Sequence, residues 1–354
     1  MSKVHRNSLR GTALLRLDFN TEDEWRMTAT LRTVRFLLKT AEKIVMVSHR
    51  GRPASPQSGA GKPHGFERKL SLRRDAKNLG ALLGRQVHFV PHFNFPKIKA
   101  MVSAAPRGSI FLLENIRFLK GERANERTLA ARLASLADFY VNDAFAVSHR
   151  DDATVHAITT FLPSFAGLEL EREIGFLSRV FVRPKKPIVI VLGGGKAIDK
   201  LDVLRFFKNK VDWFLLGGAP ANTLLFLKGI PIGSSLADRD PADIKKLKSV
   251  LRYRNVCVPV DWVWKGGKIL DIGPKTVAAY AKKSAAARTL VWSGPMGLFE
   301  KRPYDRGTRA VARAIVKNHK VFSLAGGGET VAFLRERGFH RKISFISTGG
   351  TAML

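Results

Sequence analysis

The run Ile188–Leu192, IVIVL, followed at once by Gly193, Gly194 and Gly195, narrows the possible folds more than any other stretch. A short β-branched apolar run bounded by glycines reads as a buried strand ending in a tight turn. Ala197, Ile198, Leu201, Leu204 and Phe207 then recur at helical spacing, which predicts a helix directly after the turn. Glycines at a strand-to-helix turn let backbone N–H groups approach an anion, and the helix N-terminus adds partial positive charge. Lys196 and Lys200 stand four residues apart, which predicts that they share one helical face in the first turns. Cations avoid a helix N-terminus unless something more negative sits between them. On this stretch alone the plainer alternative, a glycine turn with two solvated lysines, stays open.

The first half alternates in the same manner. Strands are predicted over 13–20, 43–48, 86–90, 109–113 and 138–142, and helices over 27–40, 70–83 and 129–137. Such alternation predicts a parallel, doubly wound sheet, in which ligands bind at the carboxyl ends of the strands. Those ends carry Asp18, Asn20, His49, Arg52, Arg117 and Arg150. Arginine presents a planar fork suited to phosphate and carboxylate oxygens, so a small phosphorylated acid is the natural partner. Leu170, Ile174, Leu177 and Phe181 predict one long helix over 168–181 that bridges the two halves.

The second half repeats the glycine-turn design. Predicted strands over 213–216, 290–293 and 321–325 end in Gly217-Gly218, Gly294-Pro295-Met296-Gly297 and Gly326-Gly327-Gly328, and one over 256–260 ends in Asp261. Together these turns predict a wide, backbone-lined floor suited to a nucleotide and its phosphates. No Ser or Thr follows Lys196, so this is not a Walker A loop, and no GxGxxG fingerprint opens the half.

Length and composition agree. The chain has 354 residues, enough for two α/β domains of ordinary size. The single cysteine, Cys257, excludes an internal disulfide and points to a reducing compartment. The first twenty residues hold no apolar core of signal-peptide length, and no run is long enough to span a bilayer, so a cytoplasmic location is expected. With 61 Lys+Arg against 29 Asp+Glu, the net charge is +32. The cations are spread over the whole chain, without zinc-finger spacing or an aromatic RNA-binding signature, which favours a general surface bias over a nucleic-acid site.

The blocks RLDFN (16–20), SHRGRP (48–53), LLENIRF (112–118), YVNDAFAVSHR (140–150), GGGKAIDK (193–200), IGSSL (232–236), DIGPKT (271–276), VWSGPMGLFE (291–300), AGGGET (325–330) and STGG (347–350) resemble, in order and over nearly the full length, those of phosphoglycerate kinases. The resemblance implies an α/β fold of two Rossmann-like, doubly wound domains with mainly parallel sheets, joined by a hinge helix. It implies a phosphoglycerate-binding domain at 1–167, an interdomain helix at 168–182, a nucleotide-binding domain at 183–345, and a short C-terminal segment, 346–354, at the domain interface.

By the same resemblance, Asp18, Asn20, Arg26, His49, Arg52, Arg117 and Arg150 bind the acid. Gly194, Gly195, Lys196, Lys200, Gly218, Gly273, Pro295, Glu300, Gly327, Gly328, Glu329 and Thr330 bind ATP or ADP. Arg26, Lys196 and Lys200 serve the transfer itself, and Glu329 meets Mg²⁺. The expected activity is reversible, ATP-dependent phosphoryl transfer between 3-phosphoglycerate and 1,3-bisphosphoglycerate, by a monomer without membrane or nucleic-acid partners. His49 either hydrogen-bonds the acid or orients the Arg52 loop. Glu329 stands where the family usually has Asp, and Ser293 where it has Asn. The alternatives are a diverged, weakly active relative and a basic nucleic-acid-binding protein on the same fold.

Overall fold

The computed structural model describes residues 9–20, 24–53, 66–195 and 197–353. Lys196 falls outside that set. The chain divides into two compact units, Met1–Ile174 and Gly175–Leu354.

Unit 1 runs β1 (Thr12–Arg16), α1 (Glu24–Thr40), β2 (Lys43–Val47), α2 (Arg73–Leu83), β3 (His88–Val90), α3 (Phe95–Ala104), β4 (Ile110–Leu113), α4 (Lys120–Arg123), α5 (Arg127–Ala134), β5 (Phe139–Asn142) and β6 (Ser164–Ala166). Its six strands are all parallel, in the order β3-β4-β2-β1-β5-β6. Alternate residues of a strand point to opposite faces. Ala13, Leu15, Ile44, Met46, Phe139 and Val141 accordingly pack into one core, and Leu14, Val45, Val47, Phe111, Leu113 and Tyr140 into a second. Both faces are covered, which is why the strands read as unbroken apolar runs. Helix α2 starts three residues later than its periodicity predicts. Ser71 and the Leu72 amide instead donate to the Glu114 carboxylate at 2.7 and 2.8 Å.

Helix α6 (Leu168–Phe181) has the predicted bounds, and the division between the units falls inside it. Leu170 and Leu177 are buried as the stripe predicts, whereas Ile174 is exposed. Phe176, off the stripe, stacks on Phe345 with ring centres 4.3 Å apart.

Unit 2 continues with β7 (Ile188–Leu192), α7 (Leu201–Phe207), β8 (Trp213–Leu216), α8 (Gly218–Leu227), α9 (Pro241–Leu247) and β9 (Val256–Cys257). An antiparallel hairpin follows, β10 (Trp262–Lys265) and β11 (Lys268–Ile272), then α10 (Pro274–Ala286), β12 (Thr289–Ser293), α11 (Arg306–Lys317), β13 (Phe322–Gly326), α12 (Gly328–Glu336) and β14 (Phe345–Ile346). The main sheet is parallel, in the order β14-β13-β12-β7-β8-β9, which puts β7 and its three glycines between β12 and β8.

Two predictions about unit 2 change. Strand β9 is only two residues long, because the chain leaves the sheet so that Asp261 can cap α10, accepting from Lys275 and Thr276 N–H at 2.8 Å each. Helix α7 starts at Leu201, after a 3₁₀ turn at Ile198–Lys200, so Lys200 stands at the helix entrance rather than one turn inside. No helix among the described residues is long and apolar enough to cross a membrane.

Candidate active site

In unit 1 the carboxyl ends of β1, β2, β4 and β5 lie on one edge of the parallel sheet. Asp18 and Asn20 follow β1, His49 and Arg52 follow β2, Arg117 follows β4, and Arg150 lies beyond β5. Arg26, in α1, joins them by donating from Nη1 to Asp18 Oδ2 at 2.8 Å. The other Asp18 oxygen accepts the Asn20 amide at 3.0 Å, so this carboxylate is committed to the protein. Asn20 accepts the Gly51 N–H at 2.7 Å, and Arg117 Nη1 donates to the Gly51 carbonyl at 2.7 Å. Those two bonds fix the loop that carries Arg52, which is itself solvent-exposed.

The informative atoms are those with nothing to bond. Arg26 Nε, His49 Nε2, and Arg117 Nε and Nη2 are buried nitrogens without a hydrogen-bond partner. Buried donors are normally satisfied, so a cluster of idle ones marks a site that awaits acceptor oxygens. Burial lowers the Arg117 pKa to about 10, and Arg150 adds to the effect. The guanidinium is still charged at neutral pH.

In unit 2 the glycine turns interlock backbone against backbone. A Cβ on Gly193 would stand 1.9 Å from the Pro295 carbonyl oxygen, and one on Gly217 would stand 2.6 Å from Met296 Cα. Gly194 and Gly294 hold φ of +82° and +93°, conformations glycine adopts at little cost. The floor differs from the expected row of free amides. Gly194 N–H donates to Pro295 O, Gly218 N–H to Met296 O and Ala219 N–H to Gly194 O, each at 2.9 Å. The amides of Ala197 and Ile198, at the start of the predicted helix, donate to Asp238 Oδ2 at 2.8 and 2.6 Å. Helix α12 differs, since its N-cap, Gly327, supplies no side-chain bond to the first amides.

Above this floor lies a cavity of about 380 Å³. Its lining includes Gly194, Gly195, Gly218, Pro295, Glu300 and Glu329, with Leu225, Leu236 and Leu298 as apolar walls. Such a volume with few polar groups suits a small organic ligand. Lys200 is buried, and its ammonium donates to Ser293 Oγ at 3.1 Å. Burial depresses the Lys200 pKa, against the opposing pull of Asp199 and Glu329. Burial and then Glu300 raise the Glu329 pKa, with Lys200 opposing.

Gly327 forms the adjoining β13–α12 turn, Gly328 and Thr330 open α12, and none of the three is in the lining. The buried Thr330 hydroxyl accepts the Gly294 amide at 2.7 Å and so holds the turn. Gly273 follows the lining residue Ile272 and packs on the capping carboxylate of Asp261. A larger hollow, about 1040 Å³, is walled by α10, α11 and the residues just after α11, including Lys282, Arg306, Arg309, Arg313 and Lys317. No strand end or glycine turn lines it.

Sequence reasoning passed over Asp238 and the buried group Arg16, Glu122 and Thr154. Arg16 had a readable signal. A lone arginine inside ALLRL, in a strand buried on both faces, must have a buried partner. Glu122 had none, because KGERANE reads as a solvated surface segment.

The phosphoglycerate kinase family profile matches residues 9–354. The phosphoglycerate kinase of Moorella thermoacetica is 38% identical over 96% of this chain and 92% of its own length. That of Chloroflexus aggregans is 36% identical over 97% and 92%. Among solved structures, phosphoglycerate kinase from Coxiella burnetii superposes with a TM-score of 0.80 at 32% identity, covering 100% of this chain and 94% of its own. The enzyme from Pyrococcus horikoshii gives 0.79 at 28% identity. With matches of this extent in sequence and in fold, the chain belongs to the phosphoglycerate kinase family.

Proposed function

We propose that this chain is an active phosphoglycerate kinase, moving the γ-phosphoryl group of ATP to the carboxylate of 3-phosphoglycerate and back from 1,3-bisphosphoglycerate to ADP. The observation that carries the acid's placement is the set of idle buried donors on Arg26, His49 and Arg117. A phosphorylated carboxylate supplies the acceptor oxygens those donors lack. The acceptor carboxylate is ionised at neutral pH, so no general base is needed. What remains is alignment and charge neutralisation.

In this reading Asp18 and Asn20 shape the acid pocket, and Arg26, His49, Arg52, Arg117 and Arg150 bind the acid. Lys200 neutralises the transferring group beside the glycine turns, and Lys196, outside the described residues, assists from the same loop. Glu300 takes the ribose hydroxyls. Gly327, Gly328, Glu329 and Thr330 lie at the phosphates. Residues 1–167 hold the acid, 183–345 hold the nucleotide, and hinge bending about 168–182 brings the two bound ligands together. The enzyme works as a monomer, and its lone, unpaired cysteine is in keeping with a reducing, cytoplasmic setting.

Magnesium fits the donor set as a nucleotide-borne ion. Among the described residues no group of three or more His, Cys, Asp or Glu side chains is placed to hold a metal ion. Glu329, whose pKa is raised by burial and then by Glu300, offers one hard oxygen, and the remainder would come from phosphate and water. When bound, the ion neutralises phosphate charge.

A coupled assay with 1,3-bisphosphoglycerate and MgADP tests the proposal. Turnover well above that of a Lys200→Ala variant is expected, and turnover equal to it would refute the activity.

A further inference from the structure

Arg16 sits at the end of β1, fully buried, and every nitrogen of its guanidinium is occupied. Nε donates to Thr154 Oγ1 at 2.9 Å, Nη1 donates to the Leu17 carbonyl, and Nη2 lies 3.2 Å from His49 Nδ1 and 3.9 Å from Glu122 Oε1. The Thr154 hydroxyl donates in turn to Glu122 Oε1 at 2.5 Å, and its amide donates to Oε2 at 3.1 Å. Tyr140 closes the cluster by donating to the Thr154 carbonyl at 2.5 Å. Each nitrogen of Arg16 is therefore already engaged within the protein.

The contact with His49 has one chemical solution. A guanidinium carries only donors and stays protonated in a protein. His49 Nδ1 must then be the acceptor and carry the lone pair. We infer that Arg16, held by Glu122 and Thr154, is a positioning residue that fixes His49 as the neutral Nε2–H tautomer, so that the ring offers the bound acid an uncharged donor. The inference rests on the reading of this edge as the acid site.

The surroundings agree. Nε2 is buried and has no partner, as a donor reserved for a ligand would be. The charged groups around the ring are Arg16 from β1, Arg26 from α1, Arg117 after β4 and Arg150 after β5, with one carboxylate, Asp18, 3.9 Å from Nδ1. Asp18 is already engaged by Arg26 and the Asn20 amide. Burial first, and then these arginines, push the His49 pKa well below its ordinary value. A ring that could charge would make acid binding vary across the physiological range. The Arg16 clamp removes that dependence.

The test uses the full chain with ¹⁵N-labelled histidine and long-range ¹H–¹⁵N correlation spectra. Without ligand, His49 should show an unprotonated Nδ1 and a protonated Nε2, with a titration midpoint well below that of an ordinary histidine. Arg16→Gln should raise the titration midpoint by about one unit or more and let Nδ1 take a proton toward Asp18. Glu122→Gln, which keeps the volume but frees Arg16, should shift it less in the same direction. The KM for 3-phosphoglycerate should stay level from about pH 6 to 8 in the parent and become pH-dependent in Arg16→Gln, while the KM for ATP changes by less than about twofold. A protonated Nδ1 in the parent at neutral pH would overturn the inference, as would an unchanged ring in both variants. Should Arg16→Gln fail to fold, the parent and Glu122→Gln spectra decide. If the tautomer is as stated but 3-phosphoglycerate leaves the Nε2–H resonance unmoved, the assignment of the acid site fails while the inference about the ring stands.

Discussion

The Lys200 ammonium donates to the Ser293 hydroxyl across 3.1 Å, in a buried position beside the glycine turns of unit 2. Its pKa is depressed, because burial outweighs the pull of Asp199 and Glu329. A buried ammonium whose burial outweighs its carboxylate neighbours is costly to keep charged, and a phosphate beside it would offset that cost.

Lys200→Met should separate activity from stability. Turnover should fall by about 10²-fold or more, since a charge aimed at the transferring group is lost. The melting temperature should hold or rise, because a buried ammonium becomes a well-sized apolar chain. Steady-state rates and a thermal melt check both, and a clear loss of melting temperature would mean that Lys200 is structural.

Asp238→Ala leaves the Ala197 and Ile198 amides without their acceptor. Loss of a cap of this kind costs about 0.5–2 kcal/mol. The turn before α7 should loosen, so the KM for ATP should rise several-fold with the KM for 3-phosphoglycerate unchanged. Equal changes in both constants would point to a global defect instead.

Arg117→Ala removes two idle nitrogens from the acid side. Loss of charged hydrogen bonds should weaken 3-phosphoglycerate binding by about 1.5–3 kcal/mol, roughly tenfold to a hundredfold. Calorimetry on each ligand separately should find nucleotide affinity within about twofold of the parent. A matching loss for both ligands would contradict their separate placement.

Asp143 predicts a pH dependence with a definite sign. It is buried, and its Oδ1 accepts the Glu169 and Leu170 amides at 2.9 and 3.2 Å at the start of α6. Burial raises its pKa to about 7. Between its ordinary value and about 7 the folded chain keeps a proton that the unfolded chain has released. This group therefore adds stability as pH falls through that window, by at most about 1.4 kcal/mol per unit. Asp143→Asn retains the acceptor and abolishes the titration. The difference in melting temperature between pH 5 and 7.5 should shrink in the variant, and parallel behaviour would exclude the assignment.

The strands of this fold were legible because both sheet faces are covered, so IVIVL and its counterparts carry no competing polar pattern. Family order made the acid-side arginines legible too, and the structure gathers them on one edge. The turn before α7 was not legible. Asp238 lies roughly forty residues beyond the amides it satisfies, and no local pattern announces a cap that comes from so far along the chain. The same holds for Glu122, whose burial depends on a partner in a distant strand. Gly273 entered the nucleotide set only through the family resemblance, and its local role, beside the Asp261 cap before a proline-led helix, depends on a residue twelve positions away.

The interlocked turns of Gly193, Gly194, Gly217, Gly218 and Gly294 pack backbone against backbone beneath the cavity, and Gly194, Gly195 and Gly218 line it. A surface made of main chain offers mutation nothing to trim or enlarge. A shift in nucleotide preference among descendants of this chain would then arise more readily at the apolar walls, Leu225, Leu236 and Leu298, than at these turns. The base of the pocket stays the same shape while its walls change.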